Sequence, residues 1–220
     1  MFETPLTNID YDKVYEPAED SFLLLDCFEQ EYQSIQQRFT GRVPVVTEIG
    51  TGSGIVTCFI KQNILPHSIF FATDINPTSC STAAETIKLN DTHETHPFTF
   101  TAMQMNLTSA VRSNKIDLLV FNPPYVPAEN VPEIPKDLDD SSWLDLALLG
   151  GQDGMMTTWE VLNNLENILT PEIGIAYILF CARNKPDQVA ETMKARGWKV
   201  DVVIHRKAGW EVLSILLFQK

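Results

Sequence analysis

The tetrad Asn122-Pro-Pro-Tyr125 combines residue types that suit one difficult reaction, the methylation of a planar amino group. Such a nitrogen is a poor nucleophile because its lone pair is delocalised, so acceptors must hold both of its N–H groups. The Asn122 side-chain carbonyl is one acceptor, and the backbone carbonyl of Pro123 is a second. The prolines stiffen the loop and offer no competing N–H, while Tyr125 can stack on a flat group. Positioning of this kind can remove roughly 7–11 kcal/mol of a barrier, and no strong general base is required.

A second run, Glu48-Ile-Gly-Thr-Gly-Ser-Gly54, allows a backbone to turn tightly and approach a ligand closely. Its glycines are Gly50, Gly52 and Gly54. The spacing differs from a dinucleotide fingerprint, which needs glycine where Ile55 stands, and the ending of a P-loop is absent. Asp74 ends the next predicted strand and can accept hydrogen bonds from ribose hydroxyls. The two features predict a site for an adenosine that carries no pyrophosphate.

The apolar segments of the chain alternate between strand and helix patterns, which indicates the kind of fold that holds both runs. The predicted strands are Val43–Gly50, Ser68–Asp74, Phe98–Gln104, Ile116–Phe121, Ile173–Cys181, Trp198–His205 and Glu211–Phe218. The predicted helices are Ala18–Arg38, Gly54–Gln62, Pro77–Asn90, Met155–Leu169 and Pro186–Arg196. Repeated strand–helix–strand units predict an α/β fold with a seven-stranded, mostly parallel sheet covered by helices on both faces. The short link Arg206–Trp210 makes the last strand antiparallel, and ligands should bind beyond the carboxyl ends of the parallel strands.

Composition and charge narrow the function classes. The chain has 220 residues, 44% of them hydrophobic, which is enough to bury a core. Its net charge of −13 opposes non-specific binding to nucleic acid. The longest apolar stretches, Ile173–Ala182 and Val212–Phe218, fall short of the ~20 residues that a membrane helix needs. No secretory signal is visible, so we expect a cytoplasmic protein without a membrane span, with a nuclear pool also compatible.

Cysteine and histidine spacing favours no metal site. The four cysteines, at 27, 58, 80 and 181, form no CxxC pair, so reduced thiols are expected. His93 and His96 are three residues apart but lie in the polar stretch Asn90–Pro97, which we predict to be the tip of a loop. We therefore predict that the protein binds no metal.

The glycine run and the tetrad together resemble class I S-adenosylmethionine-dependent methyltransferases of the amino-group type, which have a Rossmann-like fold. The segment Val14–Asp26, together with the run Gly150-Gly-Gln-Asp-Gly154, is similar to the eukaryotic and archaeal HemK-like release-factor glutamine methyltransferases. The resemblance implies N5-methylation of the glutamine in the Gly-Gly-Gln motif of the class 1 release factor, presented alone or with its GTPase companion. The cofactor implied is S-adenosyl-L-methionine, and the product is S-adenosyl-L-homocysteine.

An alternative substrate remains, because the Asn-Pro-Pro-Tyr tetrad is shared with enzymes that methylate adenine or guanine in nucleic acid. The net charge and the absence of a Lys/Arg cluster argue against this alternative. Acidic residues such as Asp137–Asp140, near the predicted mouth of the site, would suit a basic protein substrate.

The resemblance and the two runs together assign the site residue by residue. The predicted catalytic residues are Asn122, Pro123, Pro124 and Tyr125. The predicted cofactor contacts are Ser21, Glu48, Gly50, Gly52, Gly54, Asp74, Asn106, Leu107 and Asn122. Glu48 or its neighbours would face the methionine part, and Asp74 the ribose. Asn106 departs from the family, which has Asp there. Its carbonyl still accepts from the adenine amino group without charge assistance, which would weaken cofactor binding rather than abolish it.

The short segment before the first strand suggests that a second protein subunit completes the enzyme. Bacterial relatives carry a sizeable helical recognition domain before the first strand, where this chain has about forty residues. We expect residues 1–40 to form a strap and helix packed on a catalytic domain of residues 41–220, one structural unit overall. In the usual strand order 3-2-1-4-5-7-6, strand 98–104 lies at an edge and needs a cover. The resemblance supplies one, a small zinc-binding activator subunit, which predicts a heterodimer through this edge.

Overall fold

The computed structural model describes residues 2–91 and 99–220. The strands in these ranges are β1 Val45–Ile49, β2 Ile69–Asp74, β3 Phe100–Gln104, β4 Leu118–Phe121, β5 Ile175–Cys181, β6 Lys199–Ala208 and β7 Glu211–Gln219. The α-helices are α1 Glu19–Arg38, α2 Ile55–Phe59, α3 Pro77–Asn90, α4 Ser142–Leu148, α5 Met156–Ile168 and α6 Pro186–Ala195. None of the helices described is long and apolar enough to cross a membrane.

All seven strands form one sheet with the order β3-β2-β1-β4-β5-β7-β6, which confirms the predicted order and α/β class. Strands β1 to β5 are parallel, whereas β7 is antiparallel to both β5 and β6. In the register of the central strands, Ile49 lies opposite Thr73 on one side and Phe121 on the other. The residues that follow β1, β2 and β4 therefore lie close together at the carboxyl ends of the strands, because these strands are parallel.

Apolar side chains fill both faces of the sheet. One core packs α1 and α2 against β1, β4 and β5, with Phe28, Phe59 and Tyr177 among its largest fully buried members. The other packs α5 and α6 against the opposite face. Because α1 contributes Leu23, Leu24 and neighbouring residues to the first core, the N-terminal helix is held firmly beside the edge where the strands end.

The structure differs from the sequence prediction at several element boundaries. The segment predicted as one helix from Gly54 to Gln62 contains α2 and then a π-helix, Ile60–Ile64. Helix α4 lies in a polar stretch that predicted no helix, and its start is held by Asp140, which accepts from Ser142 N at 2.9 Å. Strand β6 continues to Ala208, beyond the predicted end at His205. The predicted strand start Phe98 and the pair His93 and His96 lie outside the described residues.

Candidate active site

A cavity opens at the carboxyl ends of β1, β2 and β4, where the sequence analysis placed the site. All the predicted site residues except Gly54 line this cavity. They are Ser21, Glu48, Gly50, Gly52, Asp74, Asn106, Leu107, Asn122, Pro123, Pro124 and Tyr125. Apolar side chains from the strand ends, including Ile49, Ile75 and Phe121, complete the wall. The two sequence runs, about seventy residues apart, therefore form one site.

Gly52 and Asp74 form the half of the cavity that suits an adenosine. The Gly52 N–H donates to Asp74 Oδ2 at 2.9 Å, and the Asn76 N–H donates to Oδ1 at 2.9 Å. Gly52 has φ +52°, and a Cβ there would meet no atom within 4 Å, so its backbone borders open space. Burial raises the pKa of the Asp74 carboxyl, against these backbone hydrogen bonds. A carboxylate so held keeps lone pairs for ribose hydroxyls.

Gly54 has a different position from the one predicted. It does not line the cavity, and a Cβ on it would lie 2.6 Å from Ala83 Cα on α3. Its φ of +77° is also one that side chains with a Cβ rarely adopt. The structure thus gives Gly54 the task of letting the start of α2 pack closely on α3.

Glu48 is a buried carboxylate beneath the glycine loop. Its Oε2 accepts from Thr51 Oγ1 at 2.8 Å, from the Thr57 N–H at 3.1 Å and from Thr57 Oγ1. Burial raises the pKa of Glu48 to about 7, even though these hydrogen bonds favour the charged form. A nearby positive charge in the cavity would stabilise the ionised carboxylate.

Asn122 is oriented by an acid on the N-terminal helix. Its Nδ2 donates to Asp20 Oδ2 at 3.0 Å, and Asp20 is only 4% exposed. Asp20 Oδ1 accepts from the Ser21 N–H at 2.7 Å, which holds the carboxylate in place. Asn122 Oδ1 is buried and has no hydrogen-bond partner within the described part of the chain. Because a buried acceptor without a partner is costly, and Asn122 lines the cavity, this oxygen has an acceptor capacity that a ligand can use.

Tyr125 is held at both ends. Its hydroxyl donates to Glu211 Oε2 at 3.2 Å, and its backbone carbonyl accepts from Asn184 Nδ2 at 3.0 Å. Burial, reinforced by the charges of Asp20 and Glu211, raises the pKa of Tyr125. Asn184 Nδ2 also donates to the Asp153 carbonyl at 3.1 Å, so the glycine-rich run around Asp153 supports the tetrad loop.

An apolar wall adjoins the tetrad, since the Val126 N–H donates to the Leu148 carbonyl at 2.9 Å. It consists of Val131 and residues of α4, including Trp143, Leu144 and Leu148. The Trp143 indole N–H donates to the Asp137 carbonyl at 2.9 Å, which fixes the loop before α4. Lys13 forms an ion pair with the exposed Asp139 and thereby ties the N-terminal strap to the same loop. Part of the predicted acidic rim is thus already paired within the chain.

Several residues that shape this site were not predicted from the sequence. Asp20, Asn184 and Glu211 act through contacts with the tetrad loop, from 102, 59 and 86 residues away along the chain. Asp20 lies inside the segment Val14–Asp26 that carried the resemblance, which was the one available signal. The pairings themselves depend on how the elements pack.

The finished site has two adjoining halves. One half, around Gly52 and Asp74, offers a carboxylate and a backbone that borders open space to a nucleoside. The other half, around Asn122 and Tyr125, offers an oriented acceptor oxygen and an aromatic face to a planar polar group. Such an arrangement can place a planar amide nitrogen beside a bound nucleoside derivative.

Comparisons with known proteins agree with this geometry. The family model described as the methyltransferase small domain matches residues 19–136. The eRF1 methyltransferase catalytic subunit mtq2 of Schizosaccharomyces pombe is 36% identical over 224 residues, covering 98% of this chain and 95% of that protein. Methyltransferase HEMK2 of Homo sapiens is 33% identical over 218 residues, covering 96% and 91%.

The fold also matches a solved structure, the Mtq2–Trm112 complex of E. cuniculi, described as methylating the eRF1 termination factor. The TM-score is 0.66 with 22% identity, and the match covers 94% of this chain and 99% of that one. At this identity the match shows a shared fold.

Proposed function

This chain belongs to the methyltransferase small domain family, in the group of the eRF1 methyltransferase and HEMK2 proteins, and we therefore propose that it methylates the class 1 release factor. The methyl group is transferred to the side-chain nitrogen of the glutamine in the Gly-Gly-Gln motif. The observation that carries this proposal is the unpartnered, buried Oδ1 of Asn122, whose amide is oriented by Asp20.

The residues present fit S-adenosylmethionine, the cofactor of this enzyme class. Asp74 lines the cavity and offers a carboxylate acceptor to ribose hydroxyls, and the open space beside Gly52 admits a ligand against the loop backbone. The buried Glu48 suits a cofactor with a net positive charge. Bound here, S-adenosylmethionine supplies an electrophilic methyl group.

The tetrad would position the glutamine. Asn122 Oδ1 accepts one N–H of the substrate amide, and the Pro123 carbonyl accepts the other. Tyr125, fixed by Glu211 and Asn184, presents its ring to the flat amide group. With both N–H groups held, the nitrogen lone pair is directed toward the cofactor side of the cavity. The proton is lost after transfer, when the nitrogen has become acidic, so no strong base is required.

The edge of β3 is the surface we assign to an activator subunit. The Phe70 N–H donates to the Thr99 carbonyl, and the Met105 N–H donates to the Asp74 carbonyl. By the alternation of a parallel ladder, the N–H groups of Phe100, Ala102 and Gln104 point away from the sheet. A small zinc-binding subunit could add a strand there, as peptide partners do at exposed edges. The E. cuniculi Mtq2 chain is likewise found in a complex, with Trm112.

The proposal is tested by incubating the chain and its activator with labelled S-adenosylmethionine and the release factor. We expect label on the wild-type factor and none on a factor whose Gly-Gly-Gln glutamine is replaced. Label that persists on the replaced factor would refute the assigned site. The variant Asn122→Ala should abolish transfer while cofactor binding remains largely intact, and near-normal turnover would contradict the role of the tetrad.

A parallel reaction with DNA and RNA oligonucleotides addresses the alternative substrate. We expect neither methylation nor strongly salt-dependent binding, because the chain is acidic. Methylation of adenine or guanine, with an unmodified release factor, would replace this proposal by the nucleic-acid alternative.

A further inference from the structure

Strands β6 and β7 extend beyond the rest of the sheet on the side of the active site. Leu213 of β7 pairs with Cys181, the last residue of β5, whereas β6 and β7 stay paired up to Ala208 and Glu211. Residues 206–212 thus form a two-stranded projection, called the finger here. At about 3.3 Å per residue, its tip stands roughly 10 Å past the end of β5.

Trp210 is at the tip of the finger and is fully exposed to solvent. Trp143 and Trp198, by contrast, are buried. Tryptophan has the largest apolar surface of any side chain and is the residue type most enriched among the residues that dominate protein–protein binding energy. A tryptophan kept entirely in water at the end of an ordered projection indicates a contact surface.

The finger is tied to the part of the site that holds the methyl acceptor. Glu211, the residue after Trp210, accepts the Tyr125 hydroxyl at 3.2 Å. At the base of the finger, Arg206 forms an ion pair with Asp26 on α1. Both contacts fix the direction of the projection relative to the tetrad. The base of the finger therefore lies beside the acceptor half of the cavity, next to Tyr125.

The finger is also remote from the surface assigned to the activator. Strand β6 is one edge of the sheet and β3 is the other, six strand spacings apart. At about 4.8 Å per spacing this is roughly 29 Å, so a small subunit on β3 would leave Trp210 uncovered.

We propose that Trp210 is a docking residue for the protein substrate and packs on the polypeptide that flanks the accepting glutamine. This inference rests on the proposed function and adds a recognition element to it. A protein is favoured over nucleic acid because Asp20 lines the cavity and Glu211 lies against the Tyr125 hydroxyl, so the carboxylates nearest the tetrad would repel phosphates. Of the two cations on the finger, Arg206 and Lys207, Arg206 is paired with Asp26.

The test compares steady-state kinetics of Trp210→Ala and Trp210→Phe, each with the activator and the intact release factor. For Trp210→Ala we expect KM for the factor to rise roughly tenfold, with kcat and the cofactor Kd unchanged. Trp210→Phe keeps an aromatic face and should stay within about threefold of wild type. The control is Val202→Ala, which removes a half-exposed apolar side chain from β6 far from the finger.

Fluorescence gives a second readout that does not need turnover. The factor with its glutamine replaced should shift the emission of the wild-type enzyme. Trp210→Phe, which retains the other three tryptophans, should lose most of that shift, because Trp143 in the cavity wall is already buried. An unchanged KM in Trp210→Ala, or a shift that survives in full in Trp210→Phe, would overturn the inference. A wild-type enzyme that leaves the factor unmethylated would instead overturn the proposed function, so the two failures are distinguishable.

Discussion

Asp20 Oδ2 accepts a hydrogen bond from Asn122 Nδ2 at 3.0 Å, joining α1 to the loop after β4 across 102 residues of chain. A carboxylate can only accept, so the nitrogen of the Asn122 amide must face Asp20 and its oxygen must point away from Asp20. The N-terminal helix, which precedes the first strand of the sheet, therefore takes part in the site by orienting the Asn122 amide.

Removal of this carboxylate should slow transfer without weakening cofactor binding. In Asp20→Ala the Asn122 amide loses its orientation, and a small misplacement of a positioning group can cost about 10²-fold in kcat. Asp20→Asn retains a carbonyl acceptor for Asn122 Nδ2, so we expect a loss of only about tenfold. Single-turnover rates at saturating cofactor, with Kd from titration calorimetry, provide the measurement.

Glu19→Ala is the control, because Glu19 is the exposed acid next to Asp20. It should leave both rate and affinity unchanged. If Asp20→Ala turns over within threefold of wild type while remaining folded, the orientation of Asn122 does not depend on Asp20.

Alanine substitutions at two glycines of the same run should have different effects, one on fold stability and the other mainly on cofactor affinity. In Gly54→Ala the new Cβ would lie 2.6 Å from Ala83 Cα at a φ of +77°, so overpacking and backbone strain should destabilise the fold by about 3 kcal/mol. In Gly52→Ala the Cβ meets no protein atom and enters the cavity. Strain of about 1 kcal/mol is expected there, together with a cofactor affinity at least about tenfold weaker.

Urea unfolding and cofactor titration separate the two outcomes. Each variant serves as the control for the other, since they are two residues apart in one loop. A Gly54→Ala protein of normal stability that fails to bind cofactor would restore Gly54 to the set of cofactor contacts.

The order of the elements and the location of the site could be predicted from the sequence, because both follow from local patterns. Apolar periodicity identified the strands, and the polar runs at Glu48–Gly54 and Asn122–Tyr125 marked the carboxyl ends where ligands bind. Helix α4 was missed because its polar surroundings hide a short helix that is stabilised by burying Trp143.

Contacts between distant segments could not be predicted. The pairing of Asp20 with Asn122 depends on where α1 packs, and Gly54 was assigned to the ligand because sequence spacing cannot distinguish helix packing from cofactor contact. The projecting finger depends on the register between β5 and β7, which leaves Trp210 beyond the sheet. Each of these features is tertiary, whereas periodicity and turn signals report local structure.

The edge of β3 offers a sharp test of the proposed heterodimer. Proline at Ala102 removes an N–H that points away from the sheet, so β2–β3 pairing is retained while a strand added by the activator loses a bond and meets the ring. Thr101→Pro removes an N–H that points toward β2 and should destabilise the chain itself. We expect Ala102→Pro to fold but fail to co-purify with the activator. Normal co-purification would place the activator on another surface.

Glu48 should make the stability of the cofactor-free enzyme depend on pH. Its pKa is raised from the ordinary 4.5 to about 7 by burial, so the native state binds the proton more tightly than the unfolded state. The stabilisation from the protonated form is complete below about pH 4.5 and is lost as pH rises through 7. The Glu48→Gln side chain cannot ionise, so the variant does not lose this stabilisation. For a pKa shift of this size, the loss in wild type is about 3 kcal/mol of unfolding free energy. The variant should therefore gain free energy of unfolding relative to wild type between pH 5 and pH 8.5.

Urea unfolding at these two pH values provides the measurement. The control is Glu160→Gln, which changes an exposed carboxylate on α5. A difference between Glu48→Gln and wild type that is the same at both pH values would show that Glu48 is already ionised in the cofactor-free protein, held by Thr51 and Thr57.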